Sequence, residues 1–304
     1  MSSLRFLCVC LIAAMLAACA SAQPALAPPI PPPVAPTHSS PAGRQAHTGE
    51  LVYISDYLAN AVYVFSYKSH ALVQTLLKLH APKGLCSNRG GLVWVANSAR
   101  SELVEYAPGS KKPVLTLKDP GEPSACSVDP LTGDLAVANR EDIAIYPSAQ
   151  YPPKLYTDHA ISDFAFCGYD RSGNLFVDGL TVSFFELAEL RKGHQRFTNL
   201  ALNGGAIAAP GPVQWDGKYV TVGDAKFSLI YRISVSGSQA KILAHTRIYG
   251  TDGLIQYWIA GHDVIGPEGN TGEVGFWTYP GGRYAAPLIQ GLDFPYGATI
   301  SQGD

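Results

Sequence analysis

The chain has 304 residues, of which 47% are apolar and only 15% charged, with 30 Gly and 23 Pro. That composition fits a globular all-β chain with many tight turns and few helical surfaces. A formal charge of −2 supplies no basic field, so electrostatically driven nucleic-acid binding is excluded as its function.

At the N-terminus Arg5 provides a positive start and Phe6 to Ala18 an apolar run of 13 residues, short of the roughly 20 needed to span a bilayer. The pattern predicts a signal peptide over 1–18 rather than an anchor helix. Its end, Leu16-Ala17-Ala18-Cys19, resembles the lipobox of bacterial lipoproteins, in which the Cys is diacylated and becomes the new N-terminus. The resemblance implies lipid attachment at Cys19 and a chain held at a membrane of the bacterial envelope. Ala20 stands where that family's inner-membrane retention signal has Asp, which implies the outer membrane or the cell surface. An ordinary secretory signal cleaved after Ala18, Ala20 or Ala22, with Cys19 incidental, is the alternative. Residues 19–48 are dominated by Pro, Ala and Ser, including Pro31-Pro32-Pro33, and lack apolar periodicity. They are expected to form a disordered, partly polyproline spacer.

Within 49–304 an apolar, β-branched motif returns at Leu51-Val-Tyr-Ile-Ser, Leu92-Val-Trp-Val-Ala, Leu135-Ala-Val-Ala-Asn, Leu175-Phe-Val-Asp-Gly, Tyr219-Val-Thr-Val-Gly and Val264-Ile-Gly-Pro-Glu. The starts lie 41, 43, 40, 44 and 45 residues apart, the spacing of a β repeat. In one unit an inner strand such as Ser124-Ala-Cys-Ser-Val-Asp leads through a turn into the motif. Those turns read Asn88-Arg-Gly-Gly, Pro130-Leu-Thr-Gly-Asp, Asp170-Arg-Ser-Gly-Asn and Asp216-Gly217, with Gly for the positive φ of a tight hairpin. A third strand follows, as in Val62-Tyr-Val-Phe, Leu103-Val-Glu-Tyr, Ile143-Ala-Ile-Tyr, Leu229-Ile-Tyr-Arg and Val274-Gly-Phe-Trp, and a fourth closes the unit, as in Pro113-Val-Leu-Thr-Leu. Four antiparallel strands per unit and six units predict a six-bladed β-propeller, all-β in class. The chain begins this pattern on a second strand and ends it with an inner strand, Phe294-Pro-Tyr-Gly-Ala-Thr-Ile-Ser. The C-terminal strand is therefore expected to pair with the first blade and close the ring.

The segment Pro82-Lys-Gly-Leu-Cys-Ser-Asn-Arg-Gly-Gly-Leu-Val-Trp-Val-Ala-Asn-Ser resembles the NHL repeat, and the likeness recurs in weaker form at Glu122-Pro-Ser-Ala and at Cys167-Gly-Tyr-Asp-Arg-Ser-Gly-Asn-Leu-Phe-Val-Asp. WD repeats share the period, but their Gly-His and Trp-Asp pairs are missing. The resemblance implies a six-bladed propeller and leaves activity open, because this fold hosts binding modules and enzymes alike.

The residues following the second strands are Asp56, Asn97, Asn139, Asp178, Asp224 and Glu268. Propeller geometry places them on one face around the channel, where six polar groups, four of them carboxylates, suit a cation or a polyhydroxylated ligand. Capping of their own turns through backbone amides is the competing reading. Of enzymes on this fold, a gluconolactonase-type metal-dependent hydrolase, with Ca²⁺ as its ion, is the alternative to a binding protein, and this chain lacks that family's opening Glu-Gly-Pro metal-ligand segment. There is no Gly-x-Ser-x-Gly, and His159, His194, His245 and His262 read as surface loop residues. Gly266-x-x-Gly269-x-x-Gly272 reads as a turn. Cys86, Cys126 and Cys167 occupy equivalent inner-strand positions, taken to lie beyond the roughly 7 Å limit for a disulfide, and so are expected as buried free thiols with no metal. Tyr57, Tyr151, Tyr169, Tyr249 and Tyr296 fall near blade edges and turns, where Tyr serves recognition or blade packing. The reading is a monomeric, lipid-anchored envelope protein, with no catalytic residue and no cofactor, that binds a protein or glycan.

Overall fold

A computed structural model describes residues 50–301 apart from 183, 252 and 253. The signal peptide, Cys19 and the spacer lie outside the described residues. The six sheets form a six-bladed propeller. Blade 1 consists of Leu51–Asp56, Ala61–Ser66 and Leu72–Leu76, with the C-terminal strand Pro295–Ser301 innermost. From inner to outer, blade 2 is Pro82–Ser87, Val93–Asn97, Glu102–Tyr106 and Pro113–Lys118. Blade 3 is Ala125–Val128, Leu135–Ala138, Ile143–Tyr146 and Lys154–Tyr156. Blade 4 is Asp163–Tyr169, Leu175–Thr181, Phe184–Leu190 and Thr198–Asn199. Blade 5 is Val213–Trp215, Val220–Asp224, Leu229–Ser236 and Gln239–Arg247. Blade 6 is Trp258–Ala260, Asp263–Glu268, Glu273–Thr278 and Tyr284–Ile289. Neighbouring strands within each four are antiparallel, and blade 5 gains a fifth strand, Ala201–Asn203, parallel to its outer edge.

The strict alternation of the second strands decides how the blades stack. Side chains on a strand point to opposite faces in turn, and here each face belongs to a different neighbour. Leu51 and Tyr53 pack with Leu85, Val93 and Val95 of blade 2, whereas Val52 and Ile54 pack with Ile265, Val274 and Phe276 of blade 6. Trp94 and Ala96 of blade 2 turn the other way, onto Leu135, Val137 and Tyr146 of blade 3. These strands are buried on both faces, which is why they read as continuous apolar runs. The core is a series of seams between blades.

The hairpins leading into the second strands of blades 2, 4 and 5 use one device. An Asx residue at the first turn position accepts amides from the turn: Asp170 Oδ1 from Ser172 and Asn174 (2.7 and 2.9 Å), Asp216 Oδ1 from Lys218 and Tyr219 (2.9 and 2.7 Å), and Asn88 Oδ1 from Leu92 (3.0 Å). In the Asp170 turn Gly173 takes φ 81°, open to Gly at no steric cost. Gly272, φ 71°, does the same in the turn after Glu268, while Gly266 lies inside a strand.

The expectation of three free thiols fails. Cys86 and Cys126 are joined in a disulfide with Cα atoms 5.6 Å apart, and Cys167 alone of the three is a free, buried thiol. The physical reason is convergence at the axis: adjacent inner strands come into direct backbone contact. Gly84 N–H donates to Ser124 C=O at 2.9 Å, and a Cβ on Gly84 would stand 2.6 Å from that oxygen. Positions judged too distant for a disulfide are thus within its reach.

Candidate functional site

The six ring positions are all buried, opposite the beginnings of the inner strands: Asp56 pairs with Pro295 and Asn97 with Pro82. Four of them hold backbone amides. Asp56 accepts from Ala59, Asp293 and Phe294 at 2.8–3.0 Å, Asn97 from His80 at 2.6 Å, Asp178 from Phe166 and Gly211 at 2.9 Å each, and Asp224 from Ala208 and Lys226 at 2.8 and 3.1 Å. Asn139 donates to Asp142 at 3.0 Å, and its buried Oδ1 has no partner among the described residues. Glu268 is buried, and its carbonyl receives the amides of Thr271 and Gly272. Burial holds the Asp178 carboxyl well above the usual carboxylate range, against the opposing pull of the Gly211 and Phe166 amides. Among the described residues no group of three or more His, Cys, Asp or Glu is arranged to hold a metal ion.

A cavity of about 290 Å³ opens at the other end of the inner strands. Its wall includes the Cys86–Cys126 disulfide and the Cys167 thiol, whose pKa burial pushes up, so that sulfur is an inert wall group. Gln256 lies across the inner strand of blade 1 and binds Leu85 of blade 2 through both ends of its amide, at 2.9 Å to N–H and 2.8 Å to C=O. A Cβ on Gly297 would stand 2.3 Å from the Gln256 Oε1, so only Gly lets that amide pass. Gln214 does the same between blades 5 and 6, bonding Ile259 N–H and C=O at 2.8 and 3.0 Å. These paired amides satisfy buried polar groups and fix the cavity wall.

Four side chains around the cavity have no such engagement. Arg89 and Arg171 are exposed and form no ion pair among the described residues. Trp215 and Trp258 are half-buried and line both the cavity and an adjoining hollow of about 470 Å³, which Arg89 also borders. The sequence carried a signal for both pairs. The arginines follow the first Asx of two equivalent turns, in Asn88-Arg89 and Asp170-Arg171, and each tryptophan sits within two residues of one of the bridging glutamines.

The remaining candidates scatter. His159, His194, His245 and His262 are exposed, His245 on an outer strand rather than in a loop. Tyr151 and Tyr249 are exposed, Tyr57 stands edge-on to Phe294, Tyr296 is half-buried, and only Tyr169 of the five lines the cavity.

Fold and site together define a six-bladed β-propeller with an arginine- and tryptophan-bordered channel mouth. No family profile and no curated protein sequence matches the chain. Solved structures do. A chain of the nidogen/laminin complex superposes with a TM-score of 0.68 at 12% identity, covering 83% of this chain and 98% of its own. The β-propeller domain of Myceliophteria thermophila Cps50 (Swd1) superposes at 0.53 and 12% identity, covering 80% and 86%. The calcium-binding protein regucalcin from Agrobacterium tumefaciens superposes at 0.52 and 15% identity, covering 69% and 74%. At such identities the likeness establishes the fold alone.

Proposed function

We propose that the chain is a recognition protein of the bacterial cell envelope, built on an NHL-like propeller, tethered by a lipid on Cys19 and binding a protein or glycan at the channel mouth. The observation that carries the reading is the cavity bordered by Trp215, Trp258, Arg89 and Arg171, residue types that dominate binding sites: the tryptophans pack on the core by one side and still line the cavity, and the arginines form no ion pair among the described residues. The Cys86–Cys126 disulfide supports export, because such bonds persist in oxidising compartments. The nidogen/laminin likeness is compatible with recognition, and regucalcin is named as calcium-binding, which keeps a Ca²⁺-dependent hydrolase of gluconolactonase type as the competing outcome. That alternative has less support, because Asp56, Asp178 and Asp224 are already engaged by backbone amides.

The test uses the full chain purified in detergent and applied to a glycan array and a panel of envelope proteins. Arg89→Gln with Arg171→Gln, both exposed, is expected to weaken the signal without lowering the melting temperature, whereas Trp215→Ala and Trp258→Ala are expected to abolish it at some cost in stability, because each indole also packs on the core. Stoichiometric Ca²⁺ whose removal by chelation destabilises the protein, with no array or panel signal, would instead select the hydrolase. Labelling with radioactive palmitate that persists in Cys19→Ala would refute the tether.

A further inference from the structure

We infer that the channel mouth takes a small ring bearing a carboxylate, of the class of an acidic monosaccharide such as a uronic acid. The inference rests on the recognition reading above and adds the chemistry of the ligand. It follows from an asymmetry between donors and acceptors. Around the cavity the side-chain acceptors are committed. Asp170 holds Ser172, Asn174 and the Asn174 amide at 2.7–2.9 Å, and Gln214 Oε1 holds Ile259 at 2.8 Å. Gln256 Oε1 holds Leu85 at 2.9 Å, and Ser127 Oγ accepts from Tyr169 at 3.0 Å. The arginine and tryptophan donors are not committed, although the Gln214 and Gln256 amides are. Neither guanidinium has an acidic partner, and neither the Trp215 nor the Trp258 indole N–H donates to a protein acceptor among the described residues. A mouth bordered by two unpaired guanidiniums and two indole N–H groups without a protein acceptor favours a ligand rich in acceptors and negatively charged. Glu50 lines the adjoining hollow but not this cavity.

Two features choose a sugar ring over an acidic peptide. The cavity itself, at about 290 Å³, falls just below the roughly 300–1,000 Å³ of small-molecule sites, room for one ring. Peptides are commonly held on free sheet edges, and at Gly84–Ser124 the inner-strand edges bond each other instead. The half-buried indoles offer flat apolar faces to the C–H face of a pyranose, and Arg is the side chain whose planar fork matches a carboxylate.

Tryptophan fluorescence of the full chain in detergent reads this directly, since Trp94 and Trp277 are buried at 1% exposure and only Trp215 and Trp258 can meet a ligand. Sodium glucuronate is the probe, with glucose as its uncharged counterpart and acetyl-Asp-Glu as the peptide. Glucuronate is expected to give a saturable change that glucose does not, and Arg89→Gln with Arg171→Gln is expected to weaken it about tenfold or more at unchanged melting temperature. Equal binding of glucose and glucuronate, or an unaffected double variant, overturns the carboxylate assignment while the array result still decides recognition. Tighter binding of the dipeptide overturns the sugar. Absence of a saturable change with every probe overturns the inference outright, and a silent array beside it removes the recognition reading as well.

Discussion

Asp178 shows how one side chain can belong to two blades. Its Oδ1 holds the Phe166 amide of its own inner strand and its Oδ2 the Gly211 amide leading into blade 5, with no solvent exposure. Asp178→Asn keeps a single acceptor and sets an N–H₂ group against an amide N–H, so it should cost about 1–3 kcal/mol, measured by urea denaturation. The pH dependence has a definite sign. Burial raises the folded-state pKa above the ordinary carboxylate value, so the folded chain holds a proton that the unfolded chain loses as pH rises. This group's contribution is therefore full below about pH 3.8 and declines as pH rises toward the folded value. The deficit of the Asn variant should accordingly narrow as pH rises from about 4, and a deficit that widens would show that burial does not raise this pKa in the folded state. Glycan-array binding at the opposite end of the channel should survive the substitution.

At the scale of elements, the Cys86–Cys126 disulfide ties the inner strands of blades 2 and 3 across 40 residues of chain. Closing a loop of that length in the unfolded state is worth about 4 kcal/mol in the chain-entropy account. Replacing both cysteines by Ser should lower stability by up to that amount, and dithiothreitol should lower the wild-type urea midpoint but not that of the variant; identical wild-type midpoints with and without reductant would show the bond to be absent or inert. The contrast with the strands explains what was legible. Val93, Trp94, Val95 and Ala96 announce a strand buried on both faces by forming a continuous apolar run, and the observed second strands begin within a residue of each motif start. The disulfide depends on how closely two strands 40 residues apart approach the axis, a tertiary quantity that no local pattern records. Ala201–Asn203 is too short to show a period, and its parallel pairing is set by the edge of blade 5 that it covers. The ring of acidic and amide residues was visible by position, but its hydrogen bonds run to segments such as Asp293–Phe294, far away in sequence.

For the whole molecule, closure is the decisive step, because every seam but one joins blades consecutive in the chain. The last seam requires Pro295–Ser301 to lie antiparallel to Leu51–Asp56, with Leu51 opposite Ser301 and Val52 opposite Ile300. Removing residues 294–304 would strip Ala298 and Ile300 from the cluster that holds Val52, Ile54 and Phe276, and uncover the edge of a strand buried on both faces. It would also take the Phe294 amide from Asp56 and the Gly297 backbone from beside the Gln256 bridge. An uncovered central edge is a template for pairing with other chains, so the truncated protein should aggregate or lose its cooperative melting transition. A synthetic peptide of residues 294–304 added in trans should restore part of that transition, since it supplies the missing strand without altering anything else. A truncated protein that melts like the intact chain would mean that the ring is held by its other five seams, and that the terminal strand decorates blade 1 rather than completing it.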